Sequence, residues 1–379
     1  MSQTPPSEIS TEDEHPGVSH WRNMPRRTLT IALSILPLVA LGNVAVLIYA
    51  LDGVDLSETV KRPGLLLLAA MLVFVPMIAN SVRLGLWARF LDLDFGFSKA
   101  LKVITGTMVT NSVTPSATGA LPIKLLFLMG EGVDSRRSIT LVSFQAAEDT
   151  FVTLATVALC LGVTGYGMFE FVGSEPEILA KLNGTIETIV MIVLGTAMTL
   201  VAIVALIAAG VMGQRVREWA GRGVRRVKSH ILQIGHDWAS VFRQGKGLAL
   251  FNLGLAAIQW VVRFSVAGLI LAAFGVEWQP ALFWLLQWLV QSISSLVPTP
   301  GGAGGAEAAF LLLFAPFVAV GILVPAMSTW RLMHFYLPLI GAALTFFLLH
   351  RRDRARAKAE EVHSEELNNP DIGIAQPAE

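Results

Sequence analysis

Long apolar runs separated by short polar segments dominate the chain, and their length predicts membrane-spanning helices. A helix needs about 20 residues to cross the hydrocarbon layer. Six runs meet this requirement, at about 29–51, 64–90, 138–165, 186–211, 248–274 and 330–349. We therefore predict an all-α polytopic membrane protein with about six full spans. In this organisation 1–28 is a disordered tail, 29–350 is the transmembrane domain and 351–379 is a second polar tail.

Two further apolar stretches are interrupted by proline and glycine, and they predict helices that break within the membrane. Proline lacks the backbone N–H and glycine costs backbone entropy, so neither sustains a helix. The residues that define the two breaks are Pro115, Gly119, Pro298, Gly301, Gly302 and Gly304. We predict two re-entrant hairpins, the first entering from the cytoplasm and the second from outside, with an outer loop at 324–329 before the last span. The alternative is a tight turn between two packed helices.

The two breaks align with each other, which predicts an internal repeat. When Pro115 is placed on Pro298, Gly119 meets Gly302. Since the two hairpins are predicted to enter from opposite sides, the halves are related by inversion in the membrane, an architecture typical of transporters. The predicted organisation is repeat one at 64–165, a basic interfacial linker at 213–246 and repeat two at 248–349. The linker is either an amphipathic helix on an anionic leaflet or a solvated connecting helix.

Two arginines lie inside apolar runs, where each charge costs about 2.5–3.5 kcal/mol on insertion scales. Arg83 and Arg263 fall at similar positions of the two halves, and neither has an evident acidic partner in its own span. If they face a cavity, they supply cationic donors. The N-termini of the half-helices after Pro115 and Gly302 add oriented N–H groups. All these elements favour an anion at mid-membrane.

Four further charges occur at one spacing in the two halves, with the signs exchanged. Lys124 aligns with Glu307, and Glu148 aligns with Arg331. We predict that Lys124 pairs with Glu148 or Asp149 and that Glu307 pairs with Arg331, either as staples or as gates. The predicted substrate-binding residues are Arg83, Arg263, Pro115, Gly119, Lys124, Pro298, Gly301, Gly302, Gly304 and Glu307. The predicted gating or ion-pair residues are Glu148, Asp149 and Arg331.

Charge and composition reduce the number of function classes that fit the sequence. The formal net charge is zero and 54% of residues are hydrophobic, with basic residues clustered at membrane ends, which argues against nucleic-acid binding. Basic flanks predict cytoplasmic N- and C-termini in a bacterial inner membrane. The single cysteine, Cys160, leaves no disulfide framework. His334 and Glu307 belong to no HExxH helix, so we expect no metal, no cofactor and no catalytic activity.

The second break carries a family signature. The stretch from Pro298 to Ala308 resembles the Pro-Gly-Gly-x-Gly-x-x-Glu-Ala signature of the lysylphosphatidylglycerol synthase transmembrane, or flippase-like, family. Thr114 to Gly119 resembles its first-half motif, Glu148-Asp149 its acidic pair and Trp330-Arg331-Leu332 its aromatic-Arg-Leu element. One departure bears on the substrate: family members often carry Glu and Arg close after the first-half glycine, where this chain has Leu121 to Lys124.

The resemblance implies movement of an anionic or modified phospholipid between leaflets. Too little chain follows position 354 for the aminoacyltransferase domain of the full synthase, so we expect no lipid lysylation. Two alternatives remain open: a polyprenyl-phosphate or small-anion carrier, and a non-catalytic membrane subunit that docks a lipid-modifying enzyme through the linker. Phospholipids, a partner enzyme or a second copy of the chain are the expected partners.

Overall fold

The computed structural model describes most of the two predicted repeats. The described residues are 60–113, 120–164, 243–297 and 301–368, with positions 45, 48, 235, 237–241 and 299. Several predictions lie outside them, namely nearly all of the span at 29–51, the span at 186–211, most of the linker at 213–246, and Pro115, Gly119 and Pro298.

The regular structure of the described residues is helical, which confirms the all-α prediction. The helices are α1 (Pro63–Leu72), α2 (Val75–Phe90), α3 (Phe97–Val113), α4 (Ala120–Gly130), α5 (Ser135–Thr164), α6 (Lys246–Ala273), α7 (Pro280–Leu296), α8 (Gly305–Phe314), α9 (Val320–Arg331) and α10 (Leu337–Asn368). A π-helical turn, Leu332–Tyr336, joins α9 to α10.

Four helical stretches of this part of the chain are long and apolar enough to cross a membrane. They are Pro63–Phe90, Ser135–Thr164, Lys246–Ala273 and Val320–Glu360. Each coincides with one of the predicted spans. Large apolar side chains stand exposed along them, including Phe151 on α5, Leu250 on α6 and Val320 on α9. Because such exposure is costly in water, these surfaces suit contact with lipid.

The second predicted break is formed by proline and glycine geometry. Val297 leaves α7 in an extended conformation with ψ 121°, as expected for the residue before a proline. Gly301 and Gly302 then adopt φ values of +62° and +65°, which glycine reaches without strain. Gly304 caps α8, and its N–H donates to the Glu307 carboxylate at 2.8 Å. The limbs on either side of the first break, α3 and α4, form as predicted.

The predicted outer loop at 324–329 is wrong, because this segment lies inside α9. Pro325 is buried beside Ala326 inside α9, where packing outweighs the lost backbone hydrogen bond. The connection after α8 is instead a turn that begins at Ala315. The last span therefore starts at Val320 rather than near position 330.

The C-terminal helix is longer than the predicted span. Whereas the sequence predicted a span ending near 349, α10 continues to Asn368. Lys102 of α3 forms ion pairs with Asp353 of α10 at 2.5 Å and with Glu131, just after α4, at 2.7 Å. These contacts join both limbs of the first hairpin to the last helix.

Two apolar cores interlock the helices. One joins α6, α7, α8 and α9 and recruits α1 from the first half through Ala69. The other joins α2, α3, α4 and α5 and recruits α10 through Ala342. The end of the predicted linker packs here as well, because Trp238 meets Phe144 edge-on at 4.8 Å. Each core therefore includes one helix from the other half, α1 in the first case and α10 in the second. A cavity lies between the two cores.

Candidate functional site

A cavity of about 240 Å³ lies where the two halves meet. Its wall combines the junction between α1 and α2, segments of α2, α3, α6 and α7, the second break, the start of α8, and the region from α9 to α10. The polar and charged residues of the lining are Asn80, Asn111, Ser112, Gln259, Arg263, Gln291, Ser294, Ser295, Thr299, Arg331 and His334. The described lining residues include two arginines and no Asp or Glu.

Corresponding positions of the two hairpins line this cavity. The alignment that places Pro115 on Pro298 also places Asn111 on Ser294 and Ser112 on Ser295. All four polar residues, at the ends of α3 and α7, belong to the lining. The helices that precede the two predicted breaks therefore contribute aligned positions to one cavity.

Arg263 is the lining arginine with the fewest polar contacts. Its guanidinium lies 5.7 Å from the centre of the Trp260 ring on the same helix. Its Nε has no hydrogen-bond partner among the described residues, and it forms no ion pair with any acid there. Arg263 therefore brings a positive charge to the cavity wall and retains hydrogen-bonding capacity.

Arg331 also lines the cavity, but it holds the break in place. Its Nε lies 2.8 Å from Glu307 Oε1, so the predicted Glu307–Arg331 ion pair forms. Its Nη2 donates to the carbonyl oxygen of Gly301 at 2.8 Å, and the guanidinium covers the Phe335 ring at 4.2 Å. Glu307 itself lies behind the lining, between Arg331 and the start of α8. Whether this pair also gates stays a prediction.

Two polar aromatic side chains extend the wall beside Arg331. Trp330 and His334 both line the cavity, and their rings stack at 5.6 Å. Neither Trp330 Nε1 nor His334 Nε2 has a hydrogen-bond partner in the described part of the chain. Buried polar groups are nearly always satisfied, so these atoms suit a partner that enters the cavity.

Arg83 departs from the expectation that it faces a cavity. It is fully buried and is not among the lining residues. Its Nη2 lies 2.6 Å from Glu148 Oε2, and its Nη1 lies 2.7 Å from Asp149 Oδ1 and 2.9 Å from Gln259 Oε1. Trp87 Nε1 donates to the second Glu148 oxygen at 2.8 Å. Arg83 thus ties α2 to α5 and α6.

The predicted ion pair of Lys124 with Glu148 or Asp149 does not form. Lys124 instead donates to Gln145 Oε1 at 2.5 Å, and the Gln145 amide donates in turn to Asn80 Oδ1 at 2.9 Å. The physical reason is competition, because a planar guanidinium can bind two carboxylates at once and Arg83 occupies both. Lys124 is therefore connected to the cavity only through neutral amides.

The predicted site residues thus separate into groups. Those that line the cavity are Arg263, Gly301, Gly302 and Arg331, and those that support its wall are Gly304 and Glu307. Those that lie away from it are Arg83, Lys124, Glu148 and Asp149. The lining residues that sequence reasoning did not assign to the substrate site include Asn80, Gln259, Gln291, Ser294, Trp330 and His334. The sequence did contain one signal for such a polar lining, which is a stripe of polar residues at helical spacing along α7, namely Gln287, Gln291 and Ser294.

The exchanged charges explain why the arginines of the two halves differ. In the first half Arg83 meets Glu148. The position aligned with Glu148 in the second half is Arg331, which carries the same charge as Arg263. Arg263 therefore has no acid where Arg83 has one, and both second-half arginines remain at the cavity. The alignment thus accounts for the positive charge on the part of the cavity wall that the second half forms.

Comparison with known proteins agrees with this architecture. A family model described as the lysylphosphatidylglycerol synthase TM region matches residues 29–342. The chain is also similar to a protein from Archaeoglobus fulgidus called UPF0104 membrane protein. The two are 24% identical over 297 residues, which cover 76% of this chain and 88% of the relative. Since the family model spans most of its length, the chain belongs to the family of the lysylphosphatidylglycerol synthase transmembrane region.

Proposed function

We propose that this protein translocates an anionic phospholipid between the leaflets of the membrane, with the head group in the cavity and the tails in the bilayer. The observation that carries the proposal is the character of the cavity wall. Arg263 Nε and Trp330 Nε1 are donors without partners among the described residues, the His334 imidazole beside them has an unpartnered Nε2, and no acidic side chain is found in the described lining. A phosphate satisfies such donors and compensates the charge of Arg263.

The arrangement of the helices supports a transporter. The proposal takes the two helix–break–helix segments as re-entrant hairpins of an inverted repeat, which places the cavity near the membrane midplane at the repeat interface. The equivalent polar positions on α3 and α7 support this reading. We place both termini in the cytoplasm of a bacterial cell, since basic residues flank the first and last spans.

The same phosphate chemistry fits a polyprenyl-phosphate carrier or a small-anion carrier. A phospholipid is favoured because the chain belongs to a family named after a phospholipid synthase and because apolar surface surrounds the helices that form the cavity. The proposal assigns no catalytic step to this chain. It leaves a partner lipid-modifying enzyme, or a second copy of the chain, as a source or recipient of the lipid.

Translocation by the purified full-length chain in proteoliposomes tests the proposal. A fluorescent phosphatidylglycerol is followed by its accessibility to a membrane-impermeant quencher. A charge-assisted hydrogen bond contributes about 1.5–3 kcal/mol, so Arg263→Met should slow translocation about ten- to hundredfold. Arg89→Met, which removes an exposed arginine of α2, is the matched control and should retain the wild-type rate.

Three outcomes would overturn the proposal. The first is wild-type translocation by Arg263→Met. The second is uptake of inorganic phosphate into the vesicle lumen without lipid movement, which would indicate a small-anion carrier. The third is movement of a polyprenyl phosphate but not of the phospholipid. Thermal unfolding of each variant, measured in parallel, separates a lost site from a lost fold.

A further inference from the structure

The neutral part of the cavity wall restricts the kind of head group that fits, beyond its phosphate. Ser294 is 7% exposed and lines the cavity, where its hydroxyl lies beside Gly302 of the second break. The Gln291 amide, one turn earlier on α7, belongs to the same lining. Gln259 uses its oxygen to accept from Arg83, which leaves its NH₂ group toward the lining. These groups donate and accept without carrying charge.

The wall offers nothing that would bind an ammonium group. An amine in a low-dielectric cavity needs a carboxylate or the open face of an aromatic ring. No carboxylate is found among the described lining residues. Trp330 stacks on both Phe310, at 4.9 Å, and His334, while Arg331 covers Phe335. The aromatic faces are therefore already engaged by protein groups.

We infer that the cavity selects a polyol phosphate head group, such as phosphoglycerol or a sugar phosphate, and rejects head groups that carry an amine. The inference rests on the proposed function, since it assigns the lipid phosphate to Arg263 and adds the hydroxyls to Ser294 and Gln291. Hydroxyl groups both donate and accept, as the serine and amide side chains do. A lysyl or ethanolamine ammonium would instead lie near Arg263 and Arg331 without a counter-ion.

Binding to four lipids with identical acyl chains tests the inference. Native mass spectrometry of the full chain compares phosphatidate, phosphatidylglycerol, phosphatidylethanolamine and lysylphosphatidylglycerol. A few neutral hydrogen bonds should favour phosphatidylglycerol over phosphatidate about three- to tenfold. The two amine-bearing lipids should bind at least about tenfold more weakly than phosphatidylglycerol. Soluble glycerol 1-phosphate, which lacks tails, should compete only weakly.

Variants on one helix connect this selectivity to a residue. Ser294→Ala should bring the ratio of phosphatidylglycerol to phosphatidate binding close to one, and phosphatidate binding should remain unchanged. Ser292→Ala is the matched control, because this hydroxyl donates to the Trp288 carbonyl at 2.8 Å and is outside the described lining. It should leave the ratio at its wild-type value.

The outcomes distinguish this inference from the proposed function. If all anionic lipids bind equally, or lysylphosphatidylglycerol binds as well as phosphatidylglycerol, while Arg263→Met weakens them all, only the selectivity inference fails. If no phospholipid binds, or Arg263→Met leaves every affinity unchanged, the proposed function fails as well. Competition by glycerol 1-phosphate as strong as by the lipid would overturn the assignment to a lipid head group.

Discussion

Replacing Arg83 should test whether it is a structural residue rather than a binding residue. Arg83 is fully buried, and its guanidinium satisfies both Glu148 and Asp149. Arg83→Met would leave two acids unpaired in the core, with side chains 9% and 26% exposed. Removing one partner of a buried ion pair costs about 3–5 kcal/mol, because the remaining charge loses its compensation. We expect a loss of this size in the free energy of unfolding.

A double-mutant cycle makes the expectation specific to the pair. Glu148→Gln removes one of the two acidic charges, so adding it to Arg83→Met should cost less than the sum of the single changes. We expect a coupling energy of about 0.5–3 kcal/mol. Unfolding of the full chain in mixed micelles, followed by tryptophan fluorescence, measures each free energy. Additive effects would show that the ion pair contributes nothing to stability.

Two other arginines serve as controls for this cycle. Arg89→Met removes an exposed charge at the end of the same helix and should cost less than about 1 kcal/mol. Arg263→Met removes a charge that forms no close ion pair with a described acid, so it should cost less stability than Arg83→Met while weakening lipid binding. If Arg83→Met proved as mild as Arg89→Met, the structural role assigned to Arg83 would be wrong.

Further substitutions test the break and its supports by the same unfolding measurement. Gly302→Ala should cost about 2–4 kcal/mol, because φ is +65° and the added Cβ would clash with the Ser294 hydroxyl. Gly304→Ala has open space around the added Cβ and should cost only about 1 kcal/mol, from its positive φ alone. Equal costs would contradict this steric reasoning. Glu307→Ala should cost about 3 kcal/mol, because it removes both the ion pair with Arg331 and the cap of α8. Glu307→Gln should cost less, because its amide oxygen can still accept the capping hydrogen bond. Identical losses would show that the cap does not contribute to stability. Asp353→Ala should lower the free energy of unfolding by less than about 1 kcal/mol, because its ion pair with Lys102 is partly exposed. A larger loss would show that this contact is coupled to the packing of the last helix.

Local sequence features predicted the elements whose causes are local. The spans follow from apolar runs of crossing length, and the second break follows from Pro298 and the glycines after it. The start of α9 was missed, and this helix contains Pro325, which is tolerated there because its surroundings are packed. Burial at this position depends on neighbours from other helices, which the segment alone does not specify.

The partners of the buried charges depended on tertiary structure, and only some were predictable. Glu307 and Arg331 pair as the aligned spacing suggested. The same spacing placed Glu148 near Lys124, but Arg83 of a different helix takes that carboxylate. An alignment within one repeat cannot include a competitor from outside the aligned segment. The stronger, bidentate guanidinium decided the outcome.

In the proposed function, the exchange of charge signs between the halves explains why the anion is assigned to Arg263. If both halves carried the arrangement of the first, an acid would neutralise Arg263 as Glu148 neutralises Arg83, and no charge would be available at the cavity. Because Arg331 stands at the position aligned with Glu148, the second half needs another acid to hold that arginine. Glu307 meets this need from behind the wall, where it also caps α8. The acid thereby fixes Arg331 against the break without entering the cavity, and the charge of Arg263 remains available there for an anionic head group.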